Sequence, residues 1–446
     1  MTDPSSPTAP TLAAAASRLT SAAAPRPKLW GQRFGQRLSQ GLGQRLSPAC
    51  PAWLTDLAAF LGALLFAGLA AVLVGSVALI GGCGGGVGSE GTGSYASGAI
   101  SGFGSIIVNG VHFDDSAVQP RDDDGQALPA SSLALGMVVQ VTGGPISTAT
   151  DGSSQATASA VRTDRALVGP ASAVSVAAGN LLVLGQRVWV SADTVFDARL
   201  LGGLAGVGTG QLLEVYGFYD SSRAAYAATR IAPAAAGSGY RVSGPVASVD
   251  AAKQSFSLGS QRYSYAGLGS GAAPAVGAVL RLQLPTAGPD EAGRWQLSGQ
   301  RSSDAAPQDR DGAGLDGRIS ALVAADRFVV EGVTVDAAAA QISGQLQLGA
   351  EVMVRGTLRG GVLLASQVVA SNERPRSFEL EGTVSGLDSA AKRFVLRGTP
   401  VSYGSSAVVF ENGSAAKLVG YTGKLKVEGQ LSADRTQLEA RRIRFN

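Results

Sequence analysis

Few residues in this chain have the type and spacing that catalysis or metal binding requires. His112, in Val111-His112-Phe113-Asp114-Asp115, is the only histidine. A histidine beside an acid can serve as a general base. No activated nucleophile accompanies it, and one imidazole is a poor start for a zinc site. Its polar surroundings at a strand end predict a solvated side chain. Asp122-Asp123-Asp124-Gly125 and Asp309-Arg310-Asp311-Gly312-Ala313-Gly314 superficially resemble calcium loops. Calcium takes about six to eight oxygens, from alternating acids and a distant bidentate one. Neither stretch completes that set, although Asp316 lies near the second, and both read as solvated loops. Gly206-Val207-Gly208-Thr209-Gly210 looks like part of a phosphate loop, but it precedes the strand at Leu212–Gly217 instead of opening a helix after one. No Gly-x-Ser-x-Gly elbow is present. The expectation is a chain with no catalytic residues, no metal site and no cofactor, and therefore not an enzyme.

The chemistry the sequence does support lies at Cys83. Residues Leu57–Ile80 form a long apolar run without one charge, preceded by basic residues and followed by Gly81-Gly82-Cys83. Positive charge, an apolar stretch and then small residues make an export signal. Ile80-Gly81-Gly82-Cys83 resembles the lipobox of bacterial lipoproteins. Small residues let the extended backbone enter a peptidase cleft, and the cysteine sulfur accepts the lipid. The apolar run is also long enough to span a membrane uncleaved. Cys50, the only other cysteine, stands before that run, so a disulfide between the two is not expected. Residues 1–56 read as a basic, disordered extension, 57–83 as the signal segment, and 84–97 as a Gly/Ser tether.

Charge separates the leader from the body. Residues 1–82 hold six Lys or Arg and two acids; the rest carries 30 basic and 31 acidic residues. A body so nearly neutral lacks the basic footprint of a nucleic-acid binder, and only Arg441, Arg442 and Arg444 make a local cluster.

Glycine is abundant, at 61 of 446 residues, and charged residues make up 15%. That mix fits a turn-rich β protein of small side chains. One pattern organises it. Gly349-Ala350-Glu351-Val352-Met353-Val354-Arg355-Gly356 has apolar residues three and five places after a glycine, then a closing glycine. Gly136–Gly143 and Gly210–Gly217 repeat it. Gly277 opens a fourth match that ends in Leu284, and Leu425–Gly429 keeps the alternation with a shifted opening glycine. Such alternation is a half-buried strand. The repeat starts, at Gly98, Gly169, Gly244, Gly317 and Gly382, lie 71, 75, 73 and 65 residues apart. A hairpin signal also recurs: Asp250 and Asp388 each begin a turn that leads to Phe256 and Phe394. Units near 70 residues exceed solenoid periods but can close a small barrel, as an OB-fold does.

The pattern Gly-x-Ile/Val-Ser, the Phe-centred hairpin and Leu-x-x-Gly-x-x-Val-x-Val-x-Gly together resemble the bacterial family called domain of unknown function 5666. The resemblance covers residues 98–446, is clearest in repeats four and five, and implies fold and an exported location rather than an activity. The expected architecture is all-β: a tandem array of five small OB-like β-barrels at 98–165, 166–235, 239–303, 314–371 and 377–446.

Tyr216, Phe218, Tyr219, Tyr226, Tyr263 and Tyr265 form the densest aromatic group. Alternation with Leu213 and Val215 predicts Tyr216 on an outer face. Such rings can stack a partner or pack between adjacent units. Tyr216 and Tyr219 are the expected contact residues. The functional expectation is a non-catalytic binding or scaffolding protein. It is held to a membrane by lipid, outer membrane before inner, and engages an envelope protein or polysaccharide. Nucleic acid is disfavoured.

Overall fold

The alternating runs are strands, and glycine closes each end of the motif for a different reason. In the computed structural model, which describes residues 93–266, 272–302, 308–371 and 376–446, Val139 and Val141, Leu213 and Val215, Leu280 and Leu282, Val352 and Val354, and Leu425 and Val427 are all buried. The residues between them face outward: Glu351, Arg355 and Lys426 are half-buried and Lys424 is exposed. The opening glycines Gly136, Gly210, Gly277 and Gly349 have φ of 78°, 81°, 85° and 78°, a backbone region that a side chain makes costly.

The closing glycine answers a close approach. At Gly143, Gly217, Gly356 and Gly429 the register with the next strand shifts. A Cβ there would overlap the carbonyl of Thr157, Ala227, Leu364 or Glu439 respectively. These are β-bulges that bend the strand around the barrel. The copy that opens at Gly277, which has Leu284 instead, pairs in unbroken register from Leu280 to Gln283.

The strands close into small barrels. In the second segment Leu167–Ser175 pairs antiparallel with Asn180–Val183, which pairs with Gln186–Phe196. The third strand runs parallel to the fifth, Ala225–Pro233. The fifth pairs with the fourth, Leu212–Asp220, which returns to the first. The same ring forms in the segments beginning at Arg310 and Phe378. Before them, the chain from Ser94 repeats the order with its first strand split into Ser94–Ala99 and Gly102–Phe103. The chain from Tyr240 does so with its last strand split into Arg294–Trp295 and Gly299–Ser302. The hairpin signals act as read: Asp250 Oδ1 accepts from the Lys253 amide at 3.1 Å and Asp388 Oδ1 from the Ala391 amide at 2.9 Å. Phe256 and Phe394 are buried behind them. Among the described residues helix is limited to three short 3₁₀ turns, and no helix is long and apolar enough to cross a membrane.

Two boundaries lie earlier than the sequence places them. Among the described residues strand structure begins at Ser94 and, in the fourth segment, at Arg310, so Arg310–Gly314 belongs to a barrel and not to a solvated loop. The extension, the signal segment with Ile80, Gly81, Gly82 and Cys83, and most of the tether lie outside the described residues.

Neighbouring segments share strands as well as cores. Ser94–Ser97 runs parallel to Gly312–Leu315, Gly102–Phe103 parallel to Glu379–Leu380, and Leu167–Val168 antiparallel to Arg241–Val242. One apolar core joins the first and last segments and reaches Val195, Tyr216 and Phe218 of the second. Another joins the second and third, and the fourth has its own. Merging cores matters because a lone barrel of about 70 residues buries little surface.

Candidate functional site

Tyr216 points out of its own barrel, as alternation requires, but it does not reach solvent. Its neighbour segments cover it and leave it 3% exposed. The outer face on which Tyr216 stands is therefore an interface and not a free contact surface. Phe218, Tyr226, Tyr263 and Tyr265 are likewise buried, so most of this aromatic group packs between strands. Tyr219 is half-buried, edge-on to Tyr226 at 5.1 Å and 70°.

Tyr216 lines a cavity of about 400 Å³ where the first, second and last barrels meet. Arg230, on the strand Ala225–Pro233, crosses its wall. It donates to Asp197 Oδ2 at 2.6 Å and to the Leu135 carbonyl at 3.3 Å, while its Nε has no hydrogen-bond partner among the described residues. Glu214 stands 3.9 Å from Arg165. Burial raises the Glu214 carboxyl above its usual range, against the pull of Arg165.

A second cleft, about 480 Å³, lies between the second and fourth barrels. Its platform is Trp189. On Gln186–Phe196 the side chains of Val188 and Val190 turn inward and are buried, so Trp189 between them turns outward and is half-exposed. The turn after Leu212–Asp220 places a guanidinium above it. Asp220 Oδ1 accepts from the Ser222 and Arg223 amides at 2.9 and 3.3 Å, an arrangement in which an Asp side chain mimics a backbone turn. Arg223 so held lies over the indole with its Cζ 5.0 Å from the ring centre.

An ionic floor fixes the other wall. Arg318 donates to the Gly349 carbonyl at 2.7 Å and lies 3.4 Å from both Asp220 Oδ2 and Glu351 Oε2. A Cβ on Gly349 would collide with Ser222 and Asp220, so the motif's opening glycine also lets the two barrels close up here. Arg376 pairs with Glu351, lies 3.7 Å from Asp316, and donates its amide to Asp193 Oδ1 at 2.7 Å. Burial alone would raise the Glu351 carboxyl, but Arg376 and Arg318 hold it below its ordinary range. Asp316, more deeply buried, is pushed up to about 6 despite Arg376. The floor is thus committed internally. Trp189, Arg223, Gln347 and the exposed Leu348 remain at the cleft surface.

The other sequence candidates fall elsewhere. His112 is half-buried, with Nδ1 3.4 Å from Ser105 Oγ. Asp122–Asp124 do not form a solvated loop. Asp123 is 7% exposed and paired with Arg165 and, at 3.4 Å, with Arg241. Asp124 meets Arg241 and accepts from Gln283 Nε2 at 3.0 Å. Their oxygens lie close enough together to face a cation, but the guanidinium groups of Arg165 and Arg241 occupy that role. Asp311 pairs with Arg359, and Asp309 Oδ1 accepts from the Gly360 amide at 2.8 Å. Gly206 ends a 3₁₀ turn that leads into the fourth strand, the turn role expected of it. Arg442 pairs with Glu411 at 3.2 Å and Glu428 at 3.5 Å.

The sequence reading missed Trp189 and Arg223. The signal was present: Trp189 alternates with Val188 and Val190, and Asp220 announces the turn that carries Arg223.

Three segments, residues 168–232, 316–369 and 381–444, match the family model described as Domain of unknown function (DUF5666). No curated protein matches the chain. The three matched segments are repeats of that domain, and in each the first strand pairs with the fourth to close a small barrel.

Proposed function

We propose that the chain is a non-catalytic binding protein of the bacterial envelope, built from five OB-like barrels, that holds a polysaccharide in the Trp189 cleft. The strand order first, second, third, fifth, fourth supports the OB-like reading. In such barrels the face of strands two and three and the loop between strands four and five are where oligosaccharides and oligonucleotides bind. The observation that carries the proposal is that Trp189 stands on strand three of the second barrel and Arg223 on its four–five loop, over one another in one cleft. An indole offers a flat apolar surface to the C–H face of a sugar. The surrounding amide, hydroxyl and guanidinium groups offer hydrogen bonds to its hydroxyls. Phosphate binding needs cations in excess, whereas Arg318 and Arg376 here are balanced by Asp220, Glu351 and Asp316. That balance favours a polysaccharide over a nucleic acid.

Export and lipid attachment at Cys83 complete the proposal, with Gly84 after the cysteine favouring the outer membrane. Two or more acyl chains give stable anchoring where one does not. Mass spectrometry of the purified protein tests this: an intact leader with an unmodified Cys83 rejects it.

The binding test uses the full chain in detergent, immobilised and exposed to size-fractionated envelope polysaccharides. Capture that is lost in Trp189→Ala, with an unchanged melting temperature, supports the proposal. Equal capture by both forms, or no capture, overturns it.

A further inference from the structure

We infer that the three-barrel cavity around Tyr216 is a second binding site, for a small amphipathic carboxylate. It is separate from the polysaccharide cleft and does not depend on that reading. The cavity, about 400 Å³, falls within the roughly 300–1,000 Å³ of pockets that enclose small molecules. One part of its wall is apolar: Leu133 and Met137 from the first barrel, Val195 and Phe196 from the second, Leu431 from the last. The polar part has a particular imbalance. Its aspartates are engaged. Asp197 takes hydrogen bonds from Arg199 Nε at 2.7 Å and Arg230 at 2.6 Å. Asp122 accepts from the Asp124 and Gln126 amides at 2.9 and 2.8 Å and lies 3.4 Å from Arg165. Its donors are not all engaged. Arg230 is 7% exposed, and its Nε is buried without a hydrogen-bond partner among the described residues. Tyr216, 3% exposed, lines the same wall. Arg397, on the rim, lies over the Phe103 ring at 5.7 Å.

A buried donor left unpaired costs about 1–3 kcal/mol. A protein that keeps one beside an amphipathic cavity has a site complementary to a ligand that brings acceptors and an apolar body. A carboxylate does both, and it adds charge where Arg230 and Arg397 can use it. A neutral alcohol of the same length offers the apolar body with a weaker acceptor. A cation meets the guanidinium groups of Arg165, Arg199, Arg230 and Arg397 in the wall. Glu214 shares the cavity, and its raised carboxyl means that it opposes an anion less as pH falls.

The test is calorimetric titration of the full chain in detergent with octanoate and, separately, with 1-octanol. The expected result is one octanoate per chain, with 1-octanol bound at least tenfold more weakly. Tyr216→Phe removes one hydroxyl and keeps the ring, and Arg397→Gln changes a rim residue that is exposed. Each should weaken octanoate at least fivefold with the melting temperature unchanged. Leu133→Trp should block the cavity, and Trp189→Ala should leave octanoate binding as it is. Absence of octanoate binding overturns the inference. So does equal binding of the alcohol, or indifference to both Tyr216→Phe and Arg397→Gln. These last two variants leave the barrel cores intact, so they decide the matter even if Leu133→Trp fails to fold.

Discussion

The Arg223 guanidinium lies over the Trp189 indole at 5.0 Å, and the turn that holds it there is tied through Asp220 to Arg318 of another barrel. Binding surface and inter-barrel contact are therefore parts of one structure. A cation over an indole contributes about 0.5–1 kcal/mol at an exposed site, and the side chain of Arg223 is 44% exposed. Arg223→Ala should leave the melting temperature close to wild type. It should weaken polysaccharide capture by roughly three- to fivefold, less than Trp189→Ala does. Capture that survives Arg223→Ala and Trp189→Ala equally would remove the cleft from the binding surface.

Arg318 joins the second and fourth barrels. Its removal leaves Asp220, 2% exposed, without its inter-barrel cation. Breaking a buried pair from one side costs about 3–5 kcal/mol, whereas removing both charges is often much cheaper. Arg318→Ala should lower stability by about 3 kcal/mol in denaturant titration. Adding Asp220→Asn keeps the side-chain oxygen that caps the turn and should recover part of that loss. A double variant less stable than Arg318→Ala alone would show that the pair is not what joins these barrels.

The closing glycine of each motif permits a sharper test. A Cβ at Gly356 would overlap the Leu364 carbonyl, and backbone there cannot move without breaking the bulge. Gly356→Ala should cost about 3 kcal/mol, at the upper end of overpacking penalties. Gly239 has open space around it and no positive φ, so Gly239→Ala should be nearly neutral. Equal melting temperatures for the two variants would contradict the close-approach account.

The barrels themselves were legible in the sequence because their causes are local. Alternation decides that Val352 and Val354 turn inward, and Asp388 turns its own hairpin. What joins the barrels was not legible. Asp123 reads as solvated because its partners, Arg165 and Arg241, lie far along the chain. Tyr216 reads as exposed because alternation within one barrel says nothing about a neighbour that covers its outside. The same limit hid the cleft. Trp189 becomes a platform only when Gln347 and Leu348 of another repeat form the facing wall.

Glu331 ties stability to pH at the junction between barrels. It follows Val330 at a turn with φ of 47°, and lines a small cavity with Tyr219, Tyr226, Arg281 and Asp164. Burial raises its carboxyl from 4.5 to about 8, reinforced by Asp164 and opposed by Arg318 and Arg281. The sign follows from proton binding. Between about pH 4.5 and 8 the folded chain holds a proton that the unfolded chain has released, so this group's contribution to stability falls as pH rises. Full expression of the shift would be worth over 4 kcal/mol at about 1.4 kcal/mol per pH unit. Partial exposure reduces that to the order of 2–3 kcal/mol. Glu331→Gln cannot ionise and keeps nearly the same shape. Its melting temperature should therefore be close to wild type at pH 5 and clearly above it at pH 9. Asp316 titrates in both proteins and cancels from the comparison. A difference between variant and wild type that stays constant from pH 5 to 9 would mean that Glu331 is ionised throughout, and that the junction tolerates its charge.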